Sequence, residues 1–250
     1  MRATFDERAA RAAELAGSCP AARNVLDFYR RVALFQKPVF EDVSARGETD
    51  VRVLLRHFPA LMELVRHTAP EPLVHFASRE LESAAEQEEL LVTCWERDPP
   101  ESDEARFFGR ALLQPYGEYL ATRASISFQS DAPTCPFCNA RPVVGVLRGE
   151  GDGAKRALLC SICATEWPFR RVLCPSCGSE DKDQLPVFTA SDFLHVRVEA
   201  CDRCKTYIKS VNLTRDGRAV PVVDELATVA LNLWADEHGY TKLESNLLGL

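Results

Sequence analysis

No stretch of this 250-residue chain keeps about 18 apolar residues together, which excludes a membrane-spanning helix. The opening residues, MRATFDERAARAAELAG, mix both charges and lack the apolar core of a signal peptide, so a cytoplasmic location is expected. Basic charge is in deficit, with 30 Lys and Arg against 37 Asp and Glu and a formal net charge of -7. That balance weighs against a general nucleic-acid coat, whose affinity rests on basic patches. No paired nucleophile and base, phosphate-cradling glycine loop or metal–water site stands out, and a non-enzymatic role is expected. The chain is nevertheless 46% hydrophobic and 27% charged, an ordinary globular balance that argues against disorder.

Cysteine is in excess. Eight of the ten cysteines form four C-x-x-C pairs between Cys135 and Cys204, while Cys19 and Cys94 stand alone. In a reducing compartment such pairs point to metal or redox chemistry rather than disulfides. The two lone cysteines are expected to be small buried residues.

Residues 1–130 read as helical. Leu26, Tyr29, Arg30, Ala33 and Leu34 recur at spacings of three and four, with Pro20 placed to open that helix. A second helix is expected from Thr49 to His67, kinked or broken at Pro59. A third should carry Phe76, Leu81, Ala84, Ala85, Leu90, Leu91 and Cys94 and end at Pro99-Pro100. A fourth, capped by Asp103, should carry Phe107, Phe108, Ala111, Leu112 and Tyr116. The acidic run Glu80, Glu82, Glu86, Glu88 and Glu89 reads as a solvated face. From Asp131 to about Asn212 short strands are expected at Val143–Leu147, Ala157–Leu159, Val187–Thr189, Leu194–Glu199 and Tyr207–Asn212, with Gly149–Gly153 a hairpin tip or a mobile loop. A last helix should present Leu226, Val229, Ala230, Leu233 and Trp234 and stop at Gly239.

The cysteine region repeats. Cys135, Cys138, Cys160 and Cys163 give C-x2-C-x21-C-x2-C, and Cys174, Cys177, Cys201 and Cys204 give C-x2-C-x23-C-x2-C. Two residues between cysteines let one tight turn aim both sulfurs at a point, and two such turns face to face supply a tetrahedron suited to zinc or one iron. Asn139 and Gly178 follow the second cysteine of each copy, where a left-handed backbone lets amides approach sulfur. The repeat favours one site per copy. A cross-braced alternative would join Cys135 and Cys138 with Cys174 and Cys177. Four cysteine ligands leave no open position for a metal-bound water, which counts against hydrolysis. Thioredoxin-like redox chemistry would need a βαβ setting that the hairpin-like surroundings do not offer.

The same region resembles the FdhE family of accessory proteins for formate dehydrogenase formation. The resemblance is carried by Thr134-Cys135-Pro136-Phe137-Cys138, by Leu159 to Trp167 (LCSICATEW), by Arg170 to Gly178 (RRVLCPSCG) and by Glu199 to Lys209 (EACDRCKTYIK). Val223 to Thr228 (VDELAT) and Trp234 to Tyr240 (WADEHGY) continue it. The resemblance implies an α+β chain: an all-helical domain (1–130), a first rubredoxin-like four-cysteine module (131–171), and a second with a C-terminal helix (172–250). It implies eight cysteine metal ligands, Cys135, Cys138, Cys160, Cys163, Cys174, Cys177, Cys201 and Cys204, holding two irons, one per site, with zinc the alternative. The implied partner is the catalytic subunit of a molybdenum or tungsten formate dehydrogenase in the bacterial cytoplasm. The implied role is assembly, maturation or control of activity before export. Asn139, Ala164 and Lys205 depart from the glycine of the stricter rubredoxin pattern. A redox-sensing or electron-transfer protein with two one-iron centres is the competing reading, and a zinc-ribbon nucleic-acid binder a third that the acidic balance disfavours.

Trp167, Arg170 and Arg171, between the copies, read as a packed linker with solvated arginines, or as a partner-binding patch because such residues are enriched at hot spots. Glu166 is a candidate to pair with one of those arginines. His195 reads as a strand histidine with a polar neighbour, since four thiolates already complete each site.

Overall fold

The computed structural model describes residues 2–96, 100, 102–127, 130–151 and 153–250. Its first half is helical. Helix α1 (Phe5–Ser18) starts at a capping box in which Thr4 and Glu7 exchange side-chain-to-backbone bonds, satisfying two amides left free at a helix start. Pro20 opens a short 3-10 turn, Pro20–Ala22, and α2 (Arg23–Arg46) follows it rather than beginning at the proline. Leu26, Tyr29 and Ala33 face inward as expected, but Leu34 is 45% exposed and the buried stripe runs on through Gln36, Val39 and Val43.

Proline and serine divide what periodicity alone would run together. The expected helix from Thr49 to His67 is a 3-10 segment, Val51–His57, followed by α3 (Phe58–Thr68). Pro59 lies in the first turn of α3, where its missing N–H is not needed. The expected third helix is two, α4 (Glu71–Glu80) and α5 (Ala84–Glu96). Ser83 makes the break: its Oγ accepts from the Glu86 amide while Glu86 accepts from the Ser83 amide. The predicted stop at Pro99 lies outside the described residues. Helix α6 (Asp103–Arg123) is capped by Ser102 rather than Asp103, through the Ala105 amide at 3.1 Å. It is the central helix, burying Phe107, Phe108, Leu112 and Tyr116.

The second half is built on one sheet. Its strands are β1 (Pro142–Glu150), β2 (Gly153–Cys160), β3 (Glu166–Pro168), β4 (Val187–Thr189), β5 (Val196–Cys201), β6 (Thr206–Asn212) and β7 (Thr241–Lys242). The order is β3-β2-β1-β6-β5-β4, with β7 also against β6. The turn expected at Gly149–Gly153 joins β1 to β2, though its Asp152 lies outside the described residues. The two sequence copies correspond strand for strand: β2 and β5 each end on the third cysteine of a copy, and β3 and β6 begin just after the fourth. They join where β1 runs parallel to β6, with Gly145 opposite Ser210. A Cβ at Gly145 would stand 2.1 Å from Ser210 Oγ, so glycine lets the strands meet without moving the Ser210 side chain.

The expected last helix is also two, α7 (Pro221–Ala227) and α8 (Val229–Glu237), parted at Thr228. The Thr228 hydroxyl turns back to the carbonyls of Asp224 and Glu225, which competes with helix continuation. As a result the predicted face is split. Leu226 joins the helical core, Leu231 and Ala235 join the sheet's core, and Leu233 is 62% exposed. Gly239, at φ +76°, follows the end of α8. The architecture is α+β: helices, a β-rich region with two four-cysteine clusters, then helices again. Among the described residues, no helix is long and apolar enough to cross a membrane.

Candidate metal centres

Each C-x-x-C turn closes in the same way. The amides of Cys135, Cys160 and Cys174 bond to the carbonyls of Ala140, Thr165 and Ser179, two residues past the second cysteine of each pair. Cys201 is paired with Thr206 in the β5–β6 ladder. The residue after each second cysteine is left-handed: Asn139 at φ +60°, Ala164 at +49°, Gly178 at +71° and Lys205 at +56°. A non-glycine residue in this region is uncommon. Three of the four positions hold one, so the turn imposes the conformation whatever the side chain.

These turns gather the cysteines copy by copy. Cys135, Cys138, Cys160 and Cys163 form one set and Cys174, Cys177, Cys201 and Cys204 the other, with all sulfurs of a set within 4.8 Å of one another. This is the sequential grouping, not the cross-braced one. In the first set Cys135 and Cys163 are 3.5 Å apart and Cys138 and Cys160 are 3.3 Å apart; in the second, both the Cys174–Cys204 and Cys177–Cys201 separations are 3.7 Å. Four sulfurs about 2.3 Å from one ion at tetrahedral corners stand about 3.8 Å apart. The second set fits that edge length and the first is slightly tighter, so either could hold a tetrahedral ion.

Backbone and hydroxyl groups surround the sulfurs. The Cys138 amide donates to Cys135 Sγ and the Ile162 amide to Cys160 Sγ, while the amides of Ser176 and Cys177 converge on Cys174 Sγ. Thr165 Oγ1 lies 3.1 Å from Cys163 Sγ, and Thr206 Oγ1 lies 3.0 Å from Cys204 Sγ. The amide donors offset charge on the sulfurs and orient them, while Cys163 Sγ donates to Thr165 Oγ1. The threonines were not singled out from the sequence, yet both copies carry a C-x-T signal at Cys163-Ala164-Thr165 and Cys204-Lys205-Thr206. In the second set burial pushes the Cys201 thiol up to about 12. At Cys204 burial acts in the same direction, but the hydroxyl and amide of Thr206, with the neighbouring sulfurs, bring the thiol down to about 6.

The two sets differ in shelter. All four cysteines of the first are buried, within a cluster that includes Leu158, Trp167, Phe169 and Ile208. Helix α6 seals it: a Cβ on Gly117 would stand 3.2 Å from Ile162 Cγ2 and 3.5 Å from Cys163 Cβ, so glycine permits the close approach. Gln114, one turn earlier, donates to the Ser161 carbonyl inside the turn at 2.8 Å. In the second set Cys174 and Cys201 are buried, Cys204 is half-buried and Cys177 is exposed.

Other sequence candidates fall elsewhere. Trp167 is fully buried with Nε1 bonded to the Ala132 carbonyl, as a packed linker requires. Arg170 is exposed and pairs with Asp131 and Glu180, and Arg171 bonds to the Ala154 carbonyl. Glu166 pairs with Arg148 rather than with those arginines. His195 Nε2 is 2.8 Å from Asp224, near Asp216, but the guanidinium of Arg11 contacts both carboxylates and fills the place a cation would take. Cys94 packs against Gly109, and burial pushes its thiol up to about 11, as suits an inert residue.

Comparison with known proteins places this arrangement. Residues 134–171 match the family domain described as FdhE, central domain, and residues 172–248 match FdhE, C-terminal domain. A protein FdhE homolog from Aquifex aeolicus (strain VF5) is 32% identical over 208 residues, 81% of this chain and 72% of the relative. Protein FdhE of Escherichia coli (strain K12) is 26% identical over 273 residues, 98% of this chain and 88% of the relative. The crystal structure of the FdhE protein from Pseudomonas aeruginosa shares the fold, with a TM-score of 0.70 at 21% identity, over 98% of this chain and 95% of that one. The order of the cysteine turns, the extent of the matches and the common fold agree: the chain belongs to the FdhE family.

Proposed function

We propose that this protein is a cytoplasmic, non-catalytic accessory factor for the assembly or maturation of a respiratory formate dehydrogenase, or for control of its activity before export. It binds the catalytic subunit through the two-module region. The observation that carries this reading is the pair of complete four-sulfur sets in a chain of the FdhE family. Cys135, Cys138, Cys160 and Cys163 would hold one ion, and Cys174, Cys177, Cys201 and Cys204 a second, with iron the favoured ion and zinc the alternative. Four sulfurs saturate a tetrahedral ion, so each ion would supply folding free energy, on the order of 10 kcal/mol in comparable small domains, and a rigid surface rather than a Lewis-acid water.

Affinity capture of metal-loaded protein from a bacterium making a formate dehydrogenase tests the role. Recovery of the catalytic subunit is expected, and its consistent absence would overturn the proposal. Elemental analysis with an absorption spectrum of protein purified without air identifies the ions. The electron-transfer alternative draws on the exposure of Cys177 and requires colour that bleaches reversibly on reduction. A colourless, zinc-filled protein removes it.

A further inference from the structure

A cavity of about 230 Å³ lies against the second four-cysteine set, with Cys174 and Cys201 in its wall. Four cations line it, Arg156, Arg171, Lys182 and Arg197, against one carboxylate, Glu199. The floor is a fixed charge cluster. The Arg156 side chain is 2% exposed and contacts Glu199 at 2.6 Å, while Arg197 Nε donates to the same carboxylate at 2.9 Å. Glu199 is therefore neutralised by one guanidinium and the other is left in excess. Arg156 also leaves its buried Nε without a hydrogen-bond partner among the described residues. At the rim Arg171 and Lys182 are exposed, so the lining keeps a small positive excess even against the net negative charge that four thiolates leave around a divalent ion, in a chain whose net charge is -7.

The walls are aliphatic. Leu173, Leu185 and Pro186 line the cavity with Val172 and Val187, which stand 46% and 51% exposed, two of the few large apolar side chains that are exposed among the described residues. Val187 lies on β4, the last strand of the sheet order. Aliphatic walls with a cationic floor and rim match a chain that carries aliphatic and carboxylate side chains together. A sugar–phosphate backbone lacks the aliphatic part that would cover these walls.

Resting on the role proposed above, we infer that this cavity is the docking site for an acidic, aliphatic peptide segment of the partner enzyme. One carboxylate of the segment sits over Arg156 and Arg197, and its flanking aliphatic residues cover Val172 and Val187. Partner binding is thereby placed directly on the second four-cysteine module. Loss of metal from that module would loosen Cys174 and Cys201 and with them the cavity wall.

The test uses the full metal-loaded chain in a bacterium that makes a formate dehydrogenase. A photo-crosslinking benzophenone side chain replaces Val187 in one variant and Leu34, an exposed apolar residue of α2, in another. The Val187 probe is expected to join a formate dehydrogenase fragment rich in Asp and Glu, and the Leu34 probe is not. Arg171→Glu with Lys182→Glu should lower the adduct yield by about tenfold, as charge reversal at a complementary rim does, and added salt should lower it further. Both residues are exposed, so unchanged metal content and circular dichroism are expected of that variant. Capture of the enzyme with adducts only from Leu34, or adducts to a neutral or basic segment or to nucleic acid, overturns this inference and leaves the proposed role standing. Failure to capture any formate dehydrogenase, with or without crosslinking, overturns both.

Discussion

Replacing Glu225 by glutamine should destabilise the protein more than any comparable surface change. Glu225 on α7 is fully buried, and its carboxylate receives Lys209 of β6 at 2.8 Å, Lys242 of β7 at 2.5 Å and the Asn246 amide at 2.8 Å. Lys209 is itself fully buried and also donates to the carbonyls of Glu225 and Thr228. The substitution keeps the shape but leaves the Lys209 ammonium without a buried counter-charge. Breaking such a pair costs about 3–5 kcal/mol. At about 2–4 °C per kcal/mol for a chain of this size, Tm should fall by about 6–20 °C in thermal unfolding followed by circular dichroism.

The pH dependence gives a second readout. Burial would raise the Glu225 carboxyl, but Lys209 and Lys242 outweigh it and bring the group to about 2 against 4.5 when unfolded. The unfolded chain therefore binds more protons between those values, and this contribution, on the order of 3 kcal/mol, is present above pH 4.5 and lost as pH falls towards 2. Burial pushes Lys209 the other way, down to about 8 despite Glu225. Without Glu225 it should give up its proton at still lower pH. The variant then regains stability as pH rises, and its deficit against the parent should narrow between pH 7 and 9. Adding Lys209→Met to Glu225→Gln removes both buried charges and should recover most of the loss, since replacing a whole buried pair is often neutral. A Tm change under about 2 °C, or a deficit unchanged from pH 7 to 9, would refute the reasoning.

Three further outcomes are expected. Cys174→Ala should lower metal content per chain by about half in elemental analysis, because each copy closes its own site and ligation is coupled to local folding; loss of all metal would contradict the grouping. A chromogenic chelator should withdraw metal in two phases, the faster from the second set where Cys177 is exposed, and Cys177→Ser should remove the fast phase. Gly145→Ala should cost about 1–3 kcal/mol in denaturant unfolding, the usual penalty of overpacking, and Ser210→Ala in the same chain should restore part of it by removing the oxygen 2.1 Å from the new Cβ.

The grouping of the cysteines was more legible than its setting. A C-x-x-C turn is a local structure, so four turns and their repeat sufficed to name eight cysteines and to favour the grouping seen. The left-handed position was read from Asn139 and Gly178. Ala164 and Lys205 adopt it as well, because the turn geometry outweighs the preference of a single side chain. Periodicity found the helices, and Pro59 marked one break, but two others were missed: Ser83 and Thr228 interrupt by side-chain bonds to backbone, which an apolar pattern does not register. It also placed Leu34 and Leu233 inward, where the structure leaves them in solvent, since which edge of an apolar stripe is covered depends on partners far along the chain. The β1–β6 junction depends on a contact between residues 145 and 210, and no local signal in the sequence carries it.

That junction alters how the repeat should be understood. Divided by sequence, the chain is a helical part followed by two copies of a cysteine module. Divided by packing, it does not separate there. The first copy is sealed by α6 through Gly117, so the helical part supplies a wall of the first four-cysteine set. The second copy is tied to the first along β1 and β6, and α7, which follows it, returns Val223, Leu226 and Ala227 to the helical core beside α1 and α2. Lys209 and Glu225 bridge β6 to α7 inside that return, and Arg11 of α1 holds Asp224 beside them. A shift of the second module must therefore disturb either a parallel strand pair or a buried ion pair, both of which resist gradual deformation. The second set, with Cys177 exposed, is consequently presented on a rigid mount rather than on a flexible arm. A surface held in this way loses little conformational freedom on meeting a partner, and rigidity of that kind favours affinity.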